Sequence, residues 1–235
     1  MAPLVHAKRV VLMLELGVKF LISYFIGSLM GALIVGRLRG GIDIRTMGSG
    51  NAGGTNALRT QGVVFALGVV LIDVGKGVIG AGVVPGLGLP YIAADPEISR
   101  EWLTLCCGAA AVFGHVWPIY HRFRGGKGAA TLVGTFVVIA PQLILPTLLV
   151  WAFVLVLSGY VGMATMAAAV AVAIWIGVTR LPADQPLFIY SAVMAAYVIR
   201  WHRSNIERMR AGTEHRNTRL MIFSSKRKAA DDEQS

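Results

Sequence analysis

Val63-Val64-Phe65-Ala66-Leu67-Gly68-Val69-Val70-Leu71-Ile72-Asp73-Val74-Gly75-Lys76-Gly77-Val78-Ile79-Gly80-Ala81-Gly82-Val83-Val84 decides the fold. The run is long enough to cross a bilayer core, which takes about 20 residues. Only Asp73 and Lys76 interrupt it. At i,i+3 the two share a helix face. Ionisable groups inside a span are costly unless paired, and they face the bundle interior. A pair that holds spans together is the favoured reading, ahead of a place beneath a polar pocket.

Working outward, apolar runs recur. A first span is expected at residues 12–35, with Glu15 and Lys19 at i,i+4 able to pair near its end, and a third at 102–119, with His115 and Pro118 near its end. A nearly uncharged stretch, 129–179, is too long for one span. Pro141 and Ser158-Gly159-Tyr160 cut it into 129–140, 143–157 and 161–178. A Pro-containing turn at 180–186 leads to a last span at 187–199. The expectation is an all-α integral membrane protein with seven transmembrane helices and one domain over 1–222. A polar tail, 223–235, is expected to be disordered. The basic start at Lys8 and Arg9 followed by a long apolar run reads as a retained span rather than a cleaved signal.

Composition agrees: 55% of the 235 residues are hydrophobic and 14% charged, against about 25% charged in soluble domains. The net charge of +10 is not read as a nucleic-acid footprint, because the basic residues cluster between apolar runs. Sixteen Lys and Arg fall in the segment 36–59, the segment 120–128 and the tail from Arg200; four (Lys8, Arg9, Arg100, Arg180) fall on the other side. The positive-inside bias then puts the three polar segments and the C-terminus in the cytoplasm and the N-terminus outside. Cys106 and Cys107, adjacent in an apolar run, offer no disulfide framework or zinc motif. Acids are few and no metal is expected.

Three polar patches interrupt this scaffold. The first, Gly48-Ser49-Gly50-Asn51-Ala52-Gly53-Gly54-Thr55-Asn56-Ala57-Leu58-Arg59, mixes four glycines with amide and hydroxyl side chains. Glycines let backbone N–H groups close on an anion, and a helix start should follow, with Arg59 within reach. The second, Gly125-Gly126-Lys127-Gly128, lies at the mouth of the next span. Lys127 there reads equally as an anion ligand or a membrane anchor. In the third, His202 and Asn205 are at i,i+3 on a helix prolonging the last span, beside Arg203 and Arg208. A basic surface helix on acidic lipids explains the arginines but not His202 and Asn205. His115 reads as core hydrogen bonding or site support.

No Walker A loop, Gly-x-Ser-x-Gly elbow or His-x-x-x-x-Asp pair is present. Residue types alone leave three classes open: an enzyme on a phosphate-bearing substrate, an organic-phosphate transporter and a lipid-binding scaffold. A transporter should carry polar groups through its spans; a scaffold needs the basic tail but not the Gly/Asn loop.

Taken in order, the patches resemble those of the bacterial acyl-phosphate:glycerol-3-phosphate acyltransferases, the PlsY type. The likeness covers almost the whole chain. It rests on the 48–59 patch, Asp73-x-x-Lys76-Gly77, Gly114-His115-x-x-Pro118, Gly125-Gly126-Lys127-Gly128-x-Ala130-Thr131, His202-Arg203-x-Asn205-Ile206-x-Arg208 and Gly212-x-Glu214. Ala52, Gly54 and Arg124 replace the family's usual Pro, Ala and Lys, leaving the donors in place. The resemblance implies seven spans and a site on the cytoplasmic face of the bacterial inner membrane. It implies acyl transfer from acyl phosphate to the 1-hydroxyl of glycerol 3-phosphate, giving lysophosphatidic acid and inorganic phosphate. No cofactor and no acyl-enzyme are implied.

By the same resemblance Ser49, Arg59, Lys127, His202 and Asn205 are catalytic. Gly48, Gly50, Asn51, Gly53, Thr55, Asn56, Gly125, Gly126 and Gly128 bind substrate or phosphate. Asp73, Lys76, His115, Thr131 and Arg203 support them. Expected partners are the two substrates, membrane lipids and, functionally, the enzyme that makes acyl phosphate. The sequence leaves the oligomeric state open, a monomer being compatible with it.

Overall fold

The structure, a computed structural model, describes residues 14–222. The start of the first span at residue 12, the Lys8/Arg9 pair and the tail 223–235 lie outside the described residues. Helices dominate, with one isolated bridge between Leu89 and Ile92. The chain forms two compact units that divide after Pro141.

In the first unit, α1 (Leu14–Gly27) and α2 (Gly31–Leu38) are not the single straight span expected at 12–35: they bend by 42° at a short break. In an apolar medium a break is tolerated only when its freed backbone groups find partners. Here the partners come from α4 (Val63–Val78), which runs on through a π turn, Ile79–Val83. Asp73 Oδ1 accepts the Gly31 N–H at 3.2 Å, and Lys76 Nζ donates to the Leu29 carbonyl at 2.8 Å. The two side chains pair at 3.0 Å and are almost wholly buried. The pair thereby ties α4 to the break between α1 and α2.

The other helices of this unit are α3 (Gly54–Gln61), α5 (Arg100–Val116) and α6 (Ala129–Ile139). Without a hydrophobic drive inside a bilayer, helix contact depends on close packing at small residues. Gly77 of α4 and Gly134 of α6 meet this way: a Cβ on either would strike the backbone of the other helix, at Thr131 or Val74. Gly27 lies on the Ala111 carbonyl, and Gly114 on the backbone of Tyr24 and Ser28. At the start of α1 the expected Glu15–Lys19 pair forms at 2.8 Å. Glu15 also takes both guanidinium nitrogens of Arg100 and the Asp95 N–H, and Lys19 donates to the Pro85 carbonyl. The loop before α5 is thereby tied to the first helix.

The second unit holds α7 (Ile144–Ser158), α8 (Val161–Arg180), α9 (Gln185–Trp201) and α10 (Arg203–Arg210). The first two form a hairpin through Gly159, whose φ of +75° suits glycine. α7 is largely bare, with 11% of its apolar window buried. α9 is longer at both ends than the 187–199 expected. Asp184 caps its start by accepting the Leu187 N–H, and Pro186 sits in its first turn. It ends at Trp201, where His202 separates it from α10.

Four described helices are long and apolar enough to cross a membrane: Val63–Gly86, Arg100–His121, Pro141–Ser158 and Val161–Arg180. The bent α1–α2 pair makes up to five. α6 is apolar but has 11 residues, and α9 has 17.

Candidate active site

The 48–54 loop is built around Asn56, in the first turn of α3 and 1% exposed. Its amide donates to the Ile44 and Met47 carbonyls at 2.9 and 3.0 Å, and its Oδ1 accepts the Ser49 N–H at 3.0 Å. The sequence reading put Asn56 among the substrate donors; in the fold its amide serves the loop's own backbone. Gly48 has φ of +55°, and a Cβ there would strike Asn56 Oδ1. Asn51 folds its amide over Gly53. Gly53 is the N-cap of α3 and brings no side-chain cap, so Gly54 and Thr55 open the helix with outward-facing N–H groups. Ser49 and Arg59 are exposed, Arg59 in the last turn of this short helix. The expected helix start after the loop is therefore present. Nearby, Asp43 caps the turn Ile44–Thr46 and pairs with Arg45, whose hydrogen bonds hold the carboxyl below its usual range.

The second loop rests on His115. The His115 carbonyl accepts the Gly126 N–H at 3.2 Å, and a Cβ on Gly126 would strike His115 Nε2. Gly125 is equally close to the His115 carbonyl. The other ring nitrogen, Nδ1, lies 3.4 Å from Asp73 Oδ1, a charge contact without hydrogen-bond geometry. Gly128, with φ of +83°, is the N-cap of α6, again without a side-chain cap. Lys127 is half-buried just before it, and Thr131 is buried in the first turn.

The two loops, about seventy residues apart in sequence, are set on the same two turns of α4. Gly54 abuts Val70, His115 reaches Asp73 beneath Gly126, and the Thr131 carbonyl faces Gly77. From Val70 to Gly77 is roughly 10 Å along a helix. The first unit thus brings two uncapped helix starts to one stretch of helix. That arrangement suits anionic ligands.

The third patch belongs to the second unit. His202 is buried and its Nδ1 lies 2.7 Å from the Val198 carbonyl. A carbonyl only accepts, so Nδ1 carries a proton, and in the neutral form of the ring Nε2 is the nitrogen with the lone pair. Asn205 is buried, packs on Gly162 and donates to Glu214 Oε1 at 2.9 Å. Glu214 Oε2 takes Arg208 at 2.6 Å. Arg203 is exposed. The sequence reading quoted Glu214 without a role; an acid four residues beyond Arg210 in a basic segment was the available signal. The segment continues back to the α7–α8 corner, where the Asn217 N–H meets the Gly159 carbonyl and Arg216 the Ser158 carbonyl.

Comparison with known proteins accounts for these features. Residues 18–212 match the family model described as glycerol-3-phosphate acyltransferase. The chain belongs to the glycerol-3-phosphate acyltransferase family of the PlsY type. It is 37% identical over 218 residues to a protein of Chlorobaculum parvum with that name, covering 84% of this chain and 94% of the relative. A like-named protein of Salinibacter ruber is 38% identical over 214 residues, covering 86% and 92%. Among solved structures, PlsY (YgiH), an integral membrane glycerol 3-phosphate acyltransferase in its glycerol 3-phosphate form, superposes with a TM-score of 0.72 at 28% identity. That match covers 86% of this chain and 94% of the other; the lysophosphatidic acid form gives 0.71.

Proposed function

We propose that this chain transfers a fatty acyl group from acyl phosphate to the 1-hydroxyl of glycerol 3-phosphate. The hydroxyl oxygen bonds to the acyl carbonyl carbon, the bond from that carbon to the phosphate oxygen breaks, and phosphate leaves. The proton of the hydroxyl passes to the departing phosphate. The products are 1-acylglycerol 3-phosphate and inorganic phosphate, with no acyl-enzyme. The observation that carries this reading, together with the family, is the seating of both glycine loops on one stretch of α4.

An acyl phosphate is an activated mixed anhydride, so positioning and charge stabilisation suffice. Arg59 and Lys127 hold phosphate, the 48–54 loop supplies N–H groups, and Ser49, His202 and Asn205 complete the substrate contacts. Asn56, Asp73, His115 and Glu214 keep those groups in place. Seven spans, an outside N-terminus and a site on the cytoplasmic face of the bacterial inner membrane belong to the same proposal. The distribution of sixteen basic residues against four supports it. This reaction is the first acylation of phospholipid synthesis.

The test is purified protein in detergent with glycerol 3-phosphate and a long-chain acyl phosphate, following phosphate and lysophosphatidic acid together. Equal release of both from acyl phosphate, none from acyl-CoA, no loss with EDTA, and a fall of about a hundredfold or more in Arg59→Ala are expected. Folded protein without product overturns the reading, and flux of an organic phosphate into proteoliposomes would then favour transport.

A further inference from the structure

Asp73 stands where three supports meet. One oxygen, Oδ1, faces the Gly31 N–H at 3.2 Å, Lys76 Nζ at 3.0 Å and His115 Nδ1 at 3.4 Å. All three charged or titratable side chains are at most 3% exposed. A pair that only joined spans would need Lys76 and the helix break. It would not need the imidazole, which comes from α5 and presents its far edge to Gly126.

We propose that Asp73 is a positioning residue for the transfer reaction, setting Lys127 through His115 and Gly126 and the 48–54 loop through Gly31. This rests on the function proposed above. The carboxylate, 3.4 Å from Nδ1, backs the ring and limits its movement beneath the second loop. The ring is the floor of the second loop: Gly126 has no room to move toward it, and its N–H is held by the carbonyl of the same histidine. Lys127 is the next residue.

The second route runs through α2. The Asp73 carboxylate fixes the first N–H of that helix, where negative charge also suits the helix dipole. At its other end, the Gly36 carbonyl accepts the Gly41 and Ile42 N–H groups, and Gly36 lies hard against the Ile42 carbonyl. Two residues on, the Ile44 carbonyl is one of those held by Asn56. Hydrogen bonds and short runs of chain thus connect one buried carboxylate to both glycine loops.

The deciding variant is Asp73→Asn with Lys76→Met. It removes both buried charges together, so neither is left unpaired, and volumes stay close to native. It also removes the carboxylate charge that faces His115 Nδ1. The expected result is a lowered melting temperature, because the Leu29 carbonyl loses its Lys76 donor, and, in the folded variant, kcat lower by about ten- to a hundredfold. The KM for glycerol 3-phosphate should stay within about threefold. Amide hydrogen exchange at residues 125–128 should be faster. Wild-type kcat in the folded double variant overturns the proposal whatever its melting temperature, because the pair then acts on stability alone. Unchanged exchange at 125–128 overturns it as well, and that readout is independent of turnover.

His115→Gln leaves the Asp73–Lys76 pair intact and serves if the double variant does not fold. It should show the same kcat loss and faster loop exchange, and wild-type values for both overturn the proposal. A wild-type protein inactive with acyl phosphate would sink the function reading, while the exchange measurement still decides the role of Asp73.

Discussion

Asn56 holds Ser49 from seven residues away: its Oδ1 takes the Ser49 N–H at 3.0 Å while its amide nitrogen takes two carbonyls of the same loop. The loop's shape is thus carried by one side chain. Asn56→Asp keeps the acceptor and the size but sets an oxygen against the Ile44 and Met47 carbonyls. Leaving these buried acceptors unmatched should cost on the order of 1–3 kcal/mol. Phosphate release should fall strongly, with faster hydrogen exchange at the Ser49 amide.

Gly126→Ala tests the contact between the second loop and its floor. A Cβ there would strike His115 Nε2, and neither the ring nor the loop has a free direction. A loss of turnover of tenfold or more, from displacement of about 1 Å near Lys127, is expected in the steady-state assay. Gly88→Ala, at a position open to solvent on the side of a Cβ, should be unaffected.

The Glu15 cluster should affect stability and leave chemistry alone. Glu15→Gln leaves Lys19 buried without its counter-charge and takes a bidentate partner from Arg100. Breaking a buried pair from one side costs about 3 kcal/mol or more. Thermal unfolding in detergent should shift down clearly. At a temperature where the variant is folded, kcat/KM should remain within about twofold.

The Asp43–Arg45 pair makes a small pH-dependent contribution. Arg45 hydrogen bonds lower the Asp43 carboxyl from its ordinary 3.8. A carboxyl lowered in the fold adds stability that is complete above its unfolded value and lost as pH falls through the folded one. Both side chains are about a third exposed, so solvent screening limits the contribution to on the order of 0.5 kcal/mol. The melting gap between wild type and Asp43→Asn should be small at neutral pH and close as the pH drops below 3.8.

His202 has its Nδ1 proton directed at the Val198 carbonyl, so only Nε2 can take part in substrate contact as a lone pair. If the departing phosphate takes the hydroxyl proton, His202→Gln should lose less than about a hundredfold in kcat, since a general base contributes roughly 10² to 10⁴. The pH–rate profile of the variant should keep its shape. A larger loss with a vanished limb near the imidazole range would assign the proton to His202.

Much of this was legible in the residues because the signals are local. Pro141 and Ser158-Gly159-Tyr160 mark real helix breaks, since proline and glycine act on their own backbone. The start of α3 after Gly53 and of α6 after Gly128 fell where the glycine-rich patches pointed. The bend between α1 and α2 was not legible. Ser28-Leu29-Met30 between Gly27 and Gly31 is too slight a local signal to end a span, and what permits the break are Asp73 and Lys76, more than forty positions away. The start of α9 was placed two residues late because Asp184 and Pro186 read as a turn and not also as a cap.

The site divides in the same way. Sequence by itself determined the chemistry available: glycine N–H groups, Arg59, Lys127, His202 and Asn205 as donors, and Asp73 beside Lys76 in an apolar run. Those are properties of residue type and spacing along one chain. Only the tertiary structure decided the allocation of roles: that Asn56 serves its own loop, that Glu214 holds Asn205 and Arg208, and that His115 lies between Asp73 and Gly126. The reason is physical. A hydrogen bond or a close backbone approach depends on distances of about 3 Å, and contacts between residues tens of positions apart exist only once the helices have packed.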